Sequence, residues 1–163
     1  MPLTETELKL RDAATQMKLA LKNTDDDEII RSTINAYISH ARSITLIMQE
    51  ESSDCPELKS WYEDQMAHLK KSPLLKFFNE KRVHTIHRGV VRPMKHVTPV
   101  WDIKLNGMPQ SGQGTMTFWQ FEGIDKFIPG DSGGVFRLCE QYFLILKRLV
   151  GDWLKKRREL GIT

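Results

Sequence analysis

The chain has 163 residues and a mass of 18.9 kDa, with 40% hydrophobic and 28% charged residues. That size and composition favour one globular domain, and a compact chain of this length buries about 70% of its unfolded surface. No apolar run approaches the ~20 residues of a membrane-spanning helix, and the start Met1-Pro2-Leu3-Thr4-Glu5-Thr6-Glu7 lacks the basic and apolar segments of a secretory signal. A cytoplasmic protein is expected. Cys55 and Cys139 are the only cysteines, too few for a disulfide framework or a cysteine-based zinc site.

In chain order, Leu10, Ala13, Ala14, Met17, Ala20 and Leu21 follow helical spacing and predict a helix over 5–22. Asn23-Thr24-Asp25-Asp26-Asp27-Glu28 then supplies a break followed by acids suited to a first turn. The stripe Ile30, Ile34, Tyr37, Ile38, Ala41, Ile44, Thr45 and Met48 predicts a second helix over 26–51. Pro56 suits a first helical turn, and Leu58, Trp61, Tyr62, Met66 and Leu69 carry the pattern to Lys71. Ser72-Pro73 breaks or restarts this third unit, which continues through Leu74, Leu75, Phe77, Phe78 and Ile86 to a left-handed cap at Gly89.

Beyond Gly89 the period changes. Trp101, Ile103 and Leu105 alternate within 97–105, Asn106-Gly107 is a turn signal, and Thr115 to Phe121 resembles a second strand. Val135, Leu138, Cys139, Tyr142, Leu146, Leu149, Val150 and Trp153 define a last helix over 132–159. The expected fold is mainly α: an antiparallel four-helix bundle spanning 1–163, with a β-hairpin insertion at 90–130 before the last helix.

The net charge of +3 hides an asymmetry: residues 1–80 carry 10 Lys and Arg against 14 Asp and Glu, and residues 81–163 carry 14 against 7. Lys81, Arg82, Arg88, Arg92 and Lys95 occur with no acid between 81 and 101, a pattern suited to a polyanion. Lys155-Lys156-Arg157-Arg158 reads more plainly as a solvated last helical turn that complements the helix dipole. An anionic ligand is therefore expected at His84, Arg88, Arg92 and Lys95 rather than at the C-terminal cations.

The stretch Pro73-Leu74-Leu75-Lys76-Phe77-Phe78-Asn79-Glu80-Lys81-Arg82-Val83-His84-Thr85-Ile86-His87-Arg88-Gly89 places four residues between Arg82 and His87. This resembles the Arg-x4-6-His motif of HEPN domains, and residues 35–44, Asn-Ala-Tyr-Ile-Ser-His-Ala-Arg-Ser-Ile, look like another helix of bacterial HEPN-like proteins. The resemblance implies a helical bundle and a homodimer whose shared groove cleaves single-stranded RNA without a metal. His87 would exchange the proton and Arg82 would stabilise charge on the phosphate. It also implies RNA or a nucleotide as ligand and an antitoxin or another protein as partner. Val83 replaces a residue that is commonly polar in that family, which supports the alternative of a non-catalytic module binding RNA, nucleotide or protein.

Gly130-Asp131-Ser132-Gly133-Gly134 looks like the nucleophile segment of chymotrypsin-like proteases, and His87, Asp102 and Ser132 occur in that family's order. Too little chain remains outside the helices for two β-barrels, so a turn with Asp131 or Ser132 capping the last helix is preferred. His84, His87 and His96 lack metal-site spacing, and no cofactor motif is present. Trp101, Phe118, Trp119 and Phe121 offer base-stacking surfaces, but their preferred role is to pack the hairpin onto the helices.

Overall fold

A computed structural model describes residues 3–100, 103–105, 108–110 and 114–162. Among these described residues five α-helices, α1 (Glu5–Lys22), α2 (Asp27–Glu51), α3 (Pro56–Leu69), α4 (Pro73–His87) and α5 (Val135–Glu159), enclose one apolar core, and a β-hairpin lies between the last two. Among the described residues no helix is long and apolar enough to cross a membrane.

The expected count of four helices is corrected to five, because the third unit is two helices. The backbone N–H of Ser72 bonds to Leu69 O and ends the preceding turn, while its side chain accepts from Leu75 N and starts the next helix. Pro73 occupies the first turn of α4, where no intrahelical donor is needed. Proline and a serine cap together therefore separate α3 from α4 instead of kinking one helix.

Other ends follow equally local chemistry. Thr4 and Glu7 form a reciprocal capping box on α1, and Asp26 accepts from the N–H groups of Glu28 and Ile29 at the start of α2. The eight positions expected on the α2 stripe and the eight on the α5 stripe are all buried. Leu21 and Ile86, also assigned to apolar stripes, are instead 53% and 55% exposed, each within the last turn of its helix.

Buried polar groups tie the helices together. Ser52 is fully buried at the end of α2; its Oγ donates to Met48 O at 2.6 Å and accepts from Trp153 Nε1 of α5 at 3.1 Å. Tyr37 donates to Cys139 O at 2.6 Å, and Tyr62 donates to Thr45 O at 2.6 Å. Both hydroxyls thus retain a partner away from water, as buried polar groups require. The rings of Phe78 and Tyr142 stack at 4.4 Å, joining α4 to α5.

The hairpin has outer strands β1 (Met94–Val100) and β4 (Gly114–Gln120) in antiparallel register from Met94↔Gln120 to Val100↔Gly114. Inner strands β2 (Ile103–Leu105) and β3 (Met108–Gln110) pair from Ile103↔Gln110 to Leu105↔Met108. The first strand begins at Met94, three residues before the expected Val97, and is described as far as Val100; Ile103 to Leu105 are also in a strand. Trp101, Asp102 and the Asn106-Gly107 turn signal lie outside the described residues.

Trp119 and Phe121 are buried and pack the hairpin onto the helices, as expected of them, whereas Phe118 is 46% exposed and stacks on His96. Trp119 Nε1 donates to Thr24 O at 2.9 Å, and Lys95 Nζ bonds Asp27 Oδ1 at 2.7 Å, so β1 and β4 dock on the α1–α2 turn. The link before β1 is held by Asn35 in α2: its Nδ2 donates to Val91 O at 2.7 Å and its Oδ1 accepts from Val91 N at 2.8 Å.

The glycine-rich segment after the hairpin is a backbone crossing. Phe121 N donates to Gly133 O at 2.8 Å, and a Cβ at Gly133 would meet Phe121 O at 2.7 Å. Gly133 also has φ +73°, a left-handed conformation. Asp131 accepts from Gly133 N and pairs with Arg137, while Gly134 occupies the cap position of α5 without a side-chain cap bond. The expected cap by Asp131 or Ser132 is thus replaced by a turn that Asp131 closes before the helix starts. Burial opposes ionisation of Asp131, but the Gly133 N–H and Arg137 outweigh it and hold the carboxyl below its ordinary range.

Three outcomes follow from this architecture. Asn35→Ala removes both bonds to Val91 and should cost about 1–3 kcal/mol in chemical denaturation, with faster amide exchange at Val91. Gly133→Ala should lose about 1–3 kcal/mol from backbone conformation, and more from its contact with Phe121 O, whereas Ser132→Ala at an exposed position should leave the melting midpoint unchanged. Cys139 is fully buried and burial pushes its thiol pKa up, so Ellman's reagent should modify Cys55 alone in the native protein and both thiols in denaturant.

Candidate anion-binding cleft

Lys81, His84 and Arg88 recur at helical spacing and form one face at the C-terminal end of α4. Arg88 caps the helix through its N–H to His84 O, and Gly89 follows with φ +107°, turning the chain sharply away. Residues 89–92 then pass back beside this face. Lys81, His84, Arg88, Val91, Arg92 and Glu122 border a cleft of about 370 Å³.

The cations in the cleft have different partners. Lys81 is partly buried; its Nζ donates to Glu122 O at 2.7 Å and lies 5.1 Å from the Phe77 ring centroid. Burial pushes its pKa down, partly offset by the carboxylates of Glu80 and Glu122. His84 Nδ1 lies 3.1 Å from Gly89 O. A carbonyl only accepts, so this bond places hydrogen on Nδ1 and leaves Nε2 available.

Arg88 and Arg92 are exposed, and neither makes an ion pair among the described residues. The negative end of the α4 dipole contributes about half a charge against an anion. Lys81, Arg88 and Arg92 oppose it with three cationic side chains against one lining carboxylate, Glu122. The balance remains positive.

Of the residues expected at an anion site, His84, Arg88 and Arg92 come together while Lys95 goes elsewhere. Lys95 Nζ also bonds Asp25 O at 3.2 Å and lies 5.6 Å from the Trp119 ring centroid, so it serves the hairpin dock. Lys81 was not among the expected site residues. Its spacing of three and seven positions before His84 and Arg88 is the signal that identifies it.

Arg82 and His87 do not border the cleft. Helix α4 extends through His87, and five positions on a regular helix rotate by about 140°. Within one chain Arg82 and His87 therefore lie on different faces of α4. The C-terminal cations are only partly solvated: Lys156 pairs with Glu159 at 3.7 Å, and Arg157 lies 3.8 Å from Glu51 and 4.7 Å from the Trp153 ring centroid. Among the described residues, no group of three or more His, Cys, Asp or Glu side chains could hold a metal.

The protease-like pattern, already disfavoured by chain length, is not assembled into a site among the described residues. His87 is on a helix end, Asp102 lies outside the described residues, and Ser132 belongs to the crossing that Gly133 permits. The described strands form two-stranded ribbons, with none of the paired barrels that this chemistry normally uses.

A family model described as bacteriophage lambda protein ea47 matches residues 1–93. No curated protein and no solved structure matches the chain. The matched region contains both stretches that resembled HEPN domains, and the finding corrects that assignment. The HEPN endoribonuclease, its non-catalytic alternative and the toxin–antitoxin reading fall with it. The match spans more than half of the chain, from α1 through α4 to the link before the hairpin, and the protein belongs to the bacteriophage lambda ea47 family.

Proposed function

We propose that the protein is a binding module for phosphate-bearing polyanions, with the cleft at the end of α4 as its docking point. The observation that carries this reading is the convergence of Lys81, His84, Arg88 and Arg92 on one cleft, with Arg88 and Arg92 free of ion pairs among the described residues. Guanidinium forks suit phosphate because they present parallel donors to two oxygens. The available His84 Nε2 adds a donor when the ring is charged. All four side chains lie within the family match, whereas Lys95 lies beyond it.

Phosphate contacts position a polyanion without reading its bases. The second half of the chain, with 14 Lys and Arg against 7 Asp and Glu, adds a favourable longer-range field.

Fluorescence anisotropy with a labelled single-stranded oligothymidylate provides the test. Affinity should fall as salt rises, because contacted phosphates release counterions. Arg88→Ala/Arg92→Ala should weaken binding about tenfold or more and flatten the salt slope by about one or more, with an unchanged melting midpoint. Lys155→Ala/Lys156→Ala should have the smaller effect. Equal binding by the Arg88/Arg92 variant, or greater loss from the C-terminal variant, would overturn this assignment.

A further inference from the structure

A second cleft lies on another side of the core, where α2, α3, α4 and α5 meet. It measures about 270 Å³ and is bordered by Arg42, Met66, Lys70, Leu75, Lys76 and Tyr142, among other residues. That volume is near the lower end for small-ligand sites. Its floor and walls are largely apolar: Met66 and Leu75 are partly buried, and Tyr142 is held by its stack against Phe78.

Arg42 is the unusual group. Its Nη1 donates to Thr45 Oγ1, while Nε is buried without a hydrogen-bond partner. No carboxylate forms an ion pair with it among the described residues. Glu63 borders the adjoining cleft but makes no such pair. Burial pushes the Tyr142 hydroxyl pKa up to about 12, with the Arg42 charge opposing the shift, and both side chains border the cleft.

A partly buried cation without a counter-charge is costly unless another group compensates it. The exposed Lys70 and Lys76 increase the positive charge at the mouth instead of neutralising it. The apolar walls favour a ligand body that leaves water, and the cationic side favours one anionic end. A phosphate-rich polymer would leave those apolar walls unused, so this cleft differs chemically from the one at the end of α4.

We propose that the second cleft binds a small carboxylate with an apolar body. The carboxylate faces Arg42 between Lys70 and Lys76, and the apolar body packs against Met66, Leu75 and the Tyr142 ring. The inference concerns a separate site and does not depend on polyanion binding.

Octanoate and octanol, used as probes with ¹³C-methyl-methionine protein, test both halves of the proposal. Octanoate should bind saturably and shift the Met66 methyl resonance, and octanol should bind about tenfold more weakly because it lacks the charge-assisted contact. Lys70→Glu/Lys76→Glu changes two exposed positions and should also weaken octanoate binding about tenfold without lowering the melting midpoint. Arg88→Ala/Arg92→Ala should leave octanoate binding unchanged. Equal affinity for the two probes, no shift at Met66, or unchanged octanoate affinity in the lysine-reversal variant would overturn the proposal.

Discussion

The two reciprocal hydrogen bonds between Asn35 and Val91 determine how the helical half is joined to the rest of the chain. Asn35 lies on α2, 56 positions before Val91, and its side-chain amide satisfies both the donor and acceptor of that residue. A single amide thereby substitutes for a strand neighbour and fixes the backbone between α4 and β1. Val91 can bury its side chain while Arg88 and Arg92 remain exposed on either side of it. Without this attachment, the left-handed turn at Gly89 would set only a local change of direction.

The hairpin depends on two further attachments. Trp119 and Lys95 join its outer strands to the α1–α2 turn, and the close passage of Gly133 past Phe121 joins its return to the start of α5. Aromatic burial supplies the apolar contact, while the indole N–H retains a partner. The glycine-rich stretch thus has a steric explanation: a side chain at Gly133 would enter the space occupied by a backbone carbonyl.

Charge is divided between structural and accessible roles by the same arrangement. Lys95 is committed to the acidic turn, and Lys156 and Arg157 face acids near the end of α5. Exposed ion pairs contribute little individually because water and salt screen them, so their placement matters more than their number. The α4 cleft gathers cations against one lining carboxylate, whereas the Arg42 cleft combines positive charge with apolar walls. These are different chemical environments within one helical scaffold.

The amino-acid order by itself determined the α2 and α5 stripes, the proline-start helices, the left-handed turn at Gly89 and the presence of a hairpin. Those features depend on local periodicity, capping and backbone sterics. It also suggested a HEPN motif, because an Arg and a His five positions apart near a helix end are enough to satisfy a short pattern. Only the tertiary structure separated Lys95 from His84, Arg88 and Arg92, returned Arg92 to the face that carries Lys81, and placed Asn35 against Val91. Those decisions required contacts across distant parts of the chain: a charge pattern specifies which groups are available, but the folded backbone decides which carboxylates, carbonyls and apolar surfaces each one meets.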